Sequence, residues 1–112
     1  MELEIDGIHI GKEYPLLVIS GPCVIENEEH ALNAAEALKE MFEKRGVQFI
    51  YKSSYDKANR SSINSYRGPG LDEGLRILQK VKEEIGVPVF TDIHHPDEAM
   101  AAAEVCSIIQ IP

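Results

Sequence analysis

Four cations, Lys52, Lys57, Arg60 and Arg67, fall between residues 52 and 70 with a single acid, Asp56, among them. The chain as a whole is acidic, with a formal net charge of -8 over 112 residues. A phosphodiester backbone needs a broad basic face, so this charge balance argues against a nucleic-acid surface, whereas one compact cationic loop suits a small anion such as a phosphate. The plainer alternative is a charge cluster on a wet turn. Other residues of chemical type stand apart in sequence: Cys23 after Gly21 and Pro22, Asp92 with His94 and His95, and Gln110. At most one of the two thiols would do chemistry, as a metal ligand, and no general acid or base is assigned to Asp92 or His94. Each has a duller reading, in which Cys23 is a small hydrophobe, Asp92 caps a turn and His94 is a satisfied loop histidine.

What would bring these residues together is an alternation of strands and helices. YPLLVIS, 14–20, is a short apolar run closed by Gly21 and Pro22, which predicts a buried strand. Asn27 is a helix cap, Glu28 and Glu29 suit the positive end of a helix dipole, and Ala31, Leu32, Ala35, Leu38, Met41 and Phe42 recur at helical spacing until Gly46. The Met and Phe of this helix are expected in the core. VQFIY, 47–51, is β-branched and aromatic, hence a second strand. Leu71, Leu75, Leu78, Val81 and Ile85 mark a second helix that stops at Gly86, VPVFTDI (87–93) a third strand, Pro96 to Val105 a third helix, and SIIQI (107–111) a fourth strand. Residues 1–13 add a small strand or hairpin of unassigned position.

The order βαβαβαβ calls for an α/β fold with a parallel sheet covered by helices. In such sheets the loops after the strands share one rim, and that rim holds the chemistry. Here the four strand ends are polar: Gly21, Pro22 and Cys23; Lys52, Ser53 and Ser54; Asp92, His94 and His95; Gln110. Neither GxGxxG nor GxxxxGK[ST] occurs, so a nucleotide fold has no specific support. A (βα)8 barrel needs about 250 residues, so four strands correspond to its first half and residues 1–112 to the N-terminal part of one barrel domain, with the chain a fragment. The composition is that of a globular chain, 44% hydrophobic and 27% charged. No secretory signal or membrane-length apolar run occurs, and the two cysteines form no CxxC pair, which together lead us to expect a cytoplasmic, reduced setting with no membrane partner.

SGPCVIE (20–26), YKSSYDKANRSS (51–62), SYRGPG (65–70), TDIHH (91–95) and IIQIP (108–112) strongly resemble the N-terminal part of the 3-deoxy-D-manno-octulosonate 8-phosphate (Kdo 8-phosphate) synthases. KANRSS followed by SYRGPG is the specific signal; GPC alone is shared with the related 3-deoxy-D-arabino-heptulosonate 7-phosphate synthases, which carry a KPRTS-like segment instead. The resemblance implies a TIM barrel, assembled as a homotetramer, that condenses phosphoenolpyruvate with arabinose 5-phosphate and water and releases phosphate, for lipopolysaccharide synthesis. Both substrates are anions, which would account for the local positive charge.

By the same resemblance, Lys52 and Lys57 hold phosphoenolpyruvate and the reacting carbonyl end. Arg60 and Ser61 clamp the sugar phosphate, Asn59 reads sugar hydroxyls, Ser54 belongs to the substrate site, and Asp92, His94 and Gln110 lie beside the reacting centre. Cys23 stands where metal-dependent members carry Cys and metal-independent ones Asn, which points to a divalent ion such as zinc, iron or manganese. Its other ligands would come from the absent half. Cys106 is expected in the core, His95 has no assigned role, and His9 and His30 are read as structural or solvated. Rival readings are a heptulosonate 7-phosphate or sialic acid synthase, and a non-catalytic phosphate-binding half barrel.

Overall fold

A computed structural model describes residues 1–58 and 62–112. Three residues expected at the sugar, Asn59, Arg60 and Ser61, lie outside the described residues. The chain opens with a hairpin, β1 (Leu3–Ile5) and β2 (Ile8–Ile10), paired antiparallel. Asp6 and Gly7 turn it with φ of 45° and 83°, the left-handed pair that a tight Asp-Gly hairpin turn demands. Then follow β3 (Leu17–Ser20), α1 (Glu28–Lys44), β4 (Gln48–Lys52), α2 (Leu71–Ile85), β5 (Val89–Asp92), a 3-10 turn (Pro96–Glu98), α3 (Ala99–Val105) and β6 (Ile108–Gln110). The last four strands form one parallel sheet in the order β3-β4-β5-β6. Among the described residues no helix is long and apolar enough to cross a membrane.

Local chemistry fixes the helix ends. The Asn27 side chain accepts a hydrogen bond from the His30 N–H at 2.8 Å, satisfying one of the donors that the first turn of α1 leaves open. At the far end of α2, Gly86 adopts a left-handed conformation (φ 76°) and its N–H reaches the Lys82 carbonyl. The third helix begins later than Pro96 and Asp97 suggest: the chain makes a 3-10 turn first, and the His95 ring accepts from the Asp97 N–H at 3.2 Å. His95, without a role on sequence grounds, is the cap of that turn.

The parallel register decides which side chains meet. Phe49, Tyr51 and Val89 join the core with Ala35, Leu75, Leu78 and Val81 from the helices. Side chains alternate across a strand, so Lys52, paired with Phe90, and Asp92, paired with Gln110, face away from that core. One face of the sheet is thus packed against α1, α2 and α3, and the other carries Ile19, Ile50 and Phe90 together with Lys52, Asp92 and Gln110 at the strand ends.

One core assignment needs correction. Met41 is 45% exposed. The inward stripe of α1 runs through Ala31, Ala35, Leu38 and Phe42, and Met41 lies about 100° round the helix from Phe42. Phe42 does pack inward, its ring 5.2 Å from that of Phe49. On α2, the stripe is wider than the leucines indicate, since Gly74 and Ile77 are buried as well.

The N-terminal hairpin is pinned at the start of the strands. Gln48, the first residue of β4, exchanges hydrogen bonds with both the N–H (2.9 Å) and the carbonyl (2.6 Å) of His9, and also donates to the Pro15 carbonyl. The Ser107 hydroxyl bonds the Asp6 carboxylate. His9 stacks on Tyr14 and is structural, while His30 is exposed. Of the two cysteines, Cys106 is buried in the core, where desolvation pushes its thiol up to about 11, and Cys23 is exposed.

Gly74 gives a first test of this packing. A helical glycine replaced by alanine ordinarily gains about 1 kcal/mol. Here a Cβ would stand 2.3 Å from the Cβ of buried Tyr55. Overpacking costs about 1–3 kcal/mol, so Gly74→Ala is expected to destabilise the protein, read as a lower midpoint in urea unfolding. A raised midpoint would mean that Tyr55 yields freely. A thiol reagent at pH 8 should label Cys23 in the native protein at least about tenfold faster than Cys106, because the thiolate is the attacking species. Equal rates under native conditions would contradict the burial of Cys106.

Candidate active site at the ends of the parallel strands

The site is built from backbone outward. At Gly21 a Cβ would fall 1.9 Å from the Lys52 carbonyl oxygen, so only glycine lets the end of β3 lie against the end of β4. The two segments are then stitched together. The Ser53 hydroxyl donates to the Pro22 carbonyl at 2.7 Å, the Ser54 N–H reaches the Cys23 carbonyl, and the Ile25 N–H reaches the Ser54 carbonyl. From the next strand, the Thr91 hydroxyl donates to the Ser53 carbonyl at 2.9 Å. Ser53, Ser54 and Thr91 are all buried, so these polar groups are satisfied within the protein.

Upon this platform stand the cations. Lys52 holds its ammonium over the Phe90 ring, 5.4 Å from the centroid, a cation–π contact across one register pair. Lys57 donates from Nζ to the Ser54 hydroxyl at 2.8 Å, and its N–H bonds the Arg67 carbonyl. The positive field is smaller than four cations suggest. Arg67 is committed to Asp56 through two parallel bonds of 3.0 and 2.9 Å. Among the described residues, by contrast, neither Lys52 nor Lys57 has a carboxylate within ion-pair distance.

Opposite them, Asp92 at the end of β5 is 9% exposed. Its Oδ2 lies 3.7 Å from His94 Nε2, and its Oδ1 has no hydrogen-bond partner among the described residues. The loop carrying His94 is held by Glu98. One Glu98 oxygen accepts from the Tyr55 hydroxyl at 2.6 Å and from the His94 N–H at 2.9 Å. Burial acts to raise the Glu98 pKa, but the hydrogen bonds from Tyr55 and from the His94 backbone outweigh it and leave the carboxyl below its usual range. Burial and then the hydrogen bond to that carboxylate push the Tyr55 phenol well up. On the other face of the sheet, the Tyr51 hydroxyl is buried without a partner among the described residues, and burial raises it to about 12 against a weaker opposing effect of Ser53.

Lys52, Lys57, Asp92, His94 and Gln110 all line one open cavity of about 810 Å³, joined by His95 and Pro96 at its edge. Five residues from three separate strands and loops are thus brought together. Ser54 is placed beneath Lys57 rather than on the cavity wall, and Cys23, though exposed, is not on the wall either. No group of three His, Cys, Asp or Glu side chains is gathered to hold a metal among the described residues. One thiolate does not make a site, so these residues alone do not fit a divalent ion. Sequence reasoning missed Tyr55, Phe90 and Glu98. The register pair of Lys52 with Phe90 was in principle countable once the strands were aligned; nothing in the sequence pattern marks the Tyr55–Glu98 contact.

Comparison with known proteins supplies the context for this site. At 62% identity over 103 residues, the chain matches 2-dehydro-3-deoxyphosphooctonate aldolase of Protochlamydia amoebophila, covering 92% of this chain and 38% of that protein. Proteins of the same name from Magnetococcus marinus and Geobacter sulfurreducens are each 52% identical, covering 98% and 99% of this chain and 38% and 41% of theirs. The chain therefore spans about two fifths of the length of the curated relatives it matches. The DAHP synthetase I family matches throughout residues 1–112, and the chain, with its strand-end cations and the carboxylate facing them, belongs to that family.

Proposed function

We propose that this chain carries the phosphoenolpyruvate side of a Kdo 8-phosphate synthase active site, as the N-terminal half of a TIM barrel whose remaining strands belong to the longer protein. The observation that carries the reading is the pair of ammonium groups, Lys52 and Lys57, that share one cavity and have no carboxylate within ion-pair distance among the described residues. Phosphoenolpyruvate brings a carboxylate and a phosphate to such a place. Two like unit charges 4 Å apart repel by about 4 kcal/mol at an effective dielectric of 20, so cations between them are needed before the sugar phosphate can approach. The octonate named in the relatives favours arabinose 5-phosphate as the acceptor over the sugars of the rival synthases.

In the condensation, the methylene carbon of phosphoenolpyruvate bonds to the aldehyde carbon of arabinose 5-phosphate. Water adds at the phosphate-bearing carbon, and the bond from that carbon to the phosphate oxygen breaks. Lys57, steadied by Ser54, would offer its remaining N–H donors to the aldehyde oxygen as it gains negative charge. Lys52, held over Phe90, would hold the carboxylate or phosphate of the enol. Asp92 has one oxygen free of partners among the described residues and His94 beside the other, which suits orienting the water or a sugar hydroxyl. Gln110 completes the wall. Arg60 with Ser61 as the phosphate clamp and Asn59 at the sugar hydroxyls belong to the same proposal.

Metal dependence is also part of it. Cys23 would be this chain's one ligand, with the others supplied by the remaining strands, and zinc, iron or manganese would add Lewis-acid character there. A cytoplasmic homotetramer is the expected setting.

Phosphate release by the full-length protein should be fastest with arabinose 5-phosphate, and a preference for erythrose 4-phosphate or N-acetylmannosamine would overturn the assignment. Replacing Lys57 by alanine is expected to lower kcat/KM by about 100-fold or more, the usual scale for loss of a transition-state donor. For the metal, atomic absorption should find a divalent ion in the wild type and little in Cys23→Ala. A metal-free wild type that turns over fully in chelator would place the protein in the metal-independent class.

A further inference from the structure

We infer that Tyr55 and Glu98 form a latch between the loops that follow β4 and β5, and that both are positioning residues for the condensation. The inference rests on the reading of function above. Two loops carry the reacting side chains: the first bears Lys57, and the second bears His94 next to Asp92. One Glu98 oxygen bridges them, accepting from the Tyr55 hydroxyl on the first loop and from the His94 N–H on the second.

Both ends of the bridge are fixed. Tyr55 is 1% exposed, its ring meets the His94 ring in a T-shaped contact with centroids 5.5 Å apart, and its carbonyl accepts from the Gly70 N–H at 2.9 Å. Gly74 of α2 closes against its Cβ, and Gly68 lies against its carbonyl with no room for a side chain. Glu98 ends the 3-10 turn and donates its N–H to the His95 carbonyl at 3.0 Å. A phenol donating to a carboxylate is a charge-assisted bond, stronger than a neutral one. Neither side chain lines the cavity. What they control is the separation between Lys57 and the Asp92–His94 pair, and a misplacement of about 1 Å at a reacting centre can cost roughly 100-fold in rate.

The test uses the full-length protein with Tyr55→Phe, Glu98→Ala, Glu98→Gln and the double variant Tyr55→Phe with Glu98→Ala. Glu98→Ala is expected to lower kcat by about 30- to 100-fold while the KM for phosphoenolpyruvate moves by less than about threefold, the pattern of lost positioning rather than lost binding. The Gln amide oxygen can still accept both bonds, so Glu98→Gln should recover most of that rate. The double variant should be no slower than Glu98→Ala, because residues acting as one unit are not additive. A kcat for Glu98→Ala within twofold of wild type, or fully additive losses, would overturn the latch.

A second readout needs no turnover. With ring-labelled histidine, the His94 signal, assigned through His94→Gln, should shift and broaden in Glu98→Ala as the ring loses its place against Tyr55; an unchanged signal would also overturn the latch. If the wild type condenses phosphoenolpyruvate with none of the three sugars, the functional reading fails while the His94 signal still decides whether the latch exists.

Discussion

The close approach of Gly21 to the Lys52 carbonyl is the contact on which the site depends. With 1.9 Å between that oxygen and any Cβ, the β3 turn and the end of β4 occupy space that a side chain would take, and the serine bonds that follow are possible only because the backbones are already touching. From there the order propagates by register. Ser53 is bonded to Pro22 on one side and accepts from Thr91 on the other, so the ends of three strands are locked in sequence before any reactive side chain is considered. Lys52 and Asp92 then face one way because Tyr51 and Thr91, their neighbours, are buried the other way.

Much of this was legible in the chain because its local signals agree with one another. Asn27 and Gly86 are cap residues whose chemistry does not depend on tertiary context, and both act as expected. Three of the four polar strand ends, those of β4, β5 and β6, meet at one cavity because parallel strands end on one rim, while the β3 end with Cys23 stands off its wall. Met41 was misread because a helical stripe has two edges, and sequence spacing does not say which edge meets the sheet. Arg67 could not be separated from the other cations because its partner, Asp56, lies eleven residues away in sequence, with no helical or strand spacing to link the two. The hairpin's position rested on a Gln48 side chain that bonds three backbone groups, and a glutamine at a strand start announces nothing of the kind.

The same loop shows how a protein of net negative charge can keep a positive site open. Arginine forms the tighter pair with a carboxylate, since its planar fork matches both oxygens, and here Arg67 takes Asp56. That pairing does two things. It removes from the loop the one acid that could have neutralised a lysine, and it fixes the backbone that accepts the Lys57 N–H at Arg67's own carbonyl. The lysines are supported by neutral partners instead, a hydroxyl for Lys57 and an aromatic face for Lys52. Such partners orient an ammonium without cancelling its charge, so the field that remains is directed at whatever anion enters the cavity. An acid in place of either partner would cancel that charge, and with it the attraction for a phosphate.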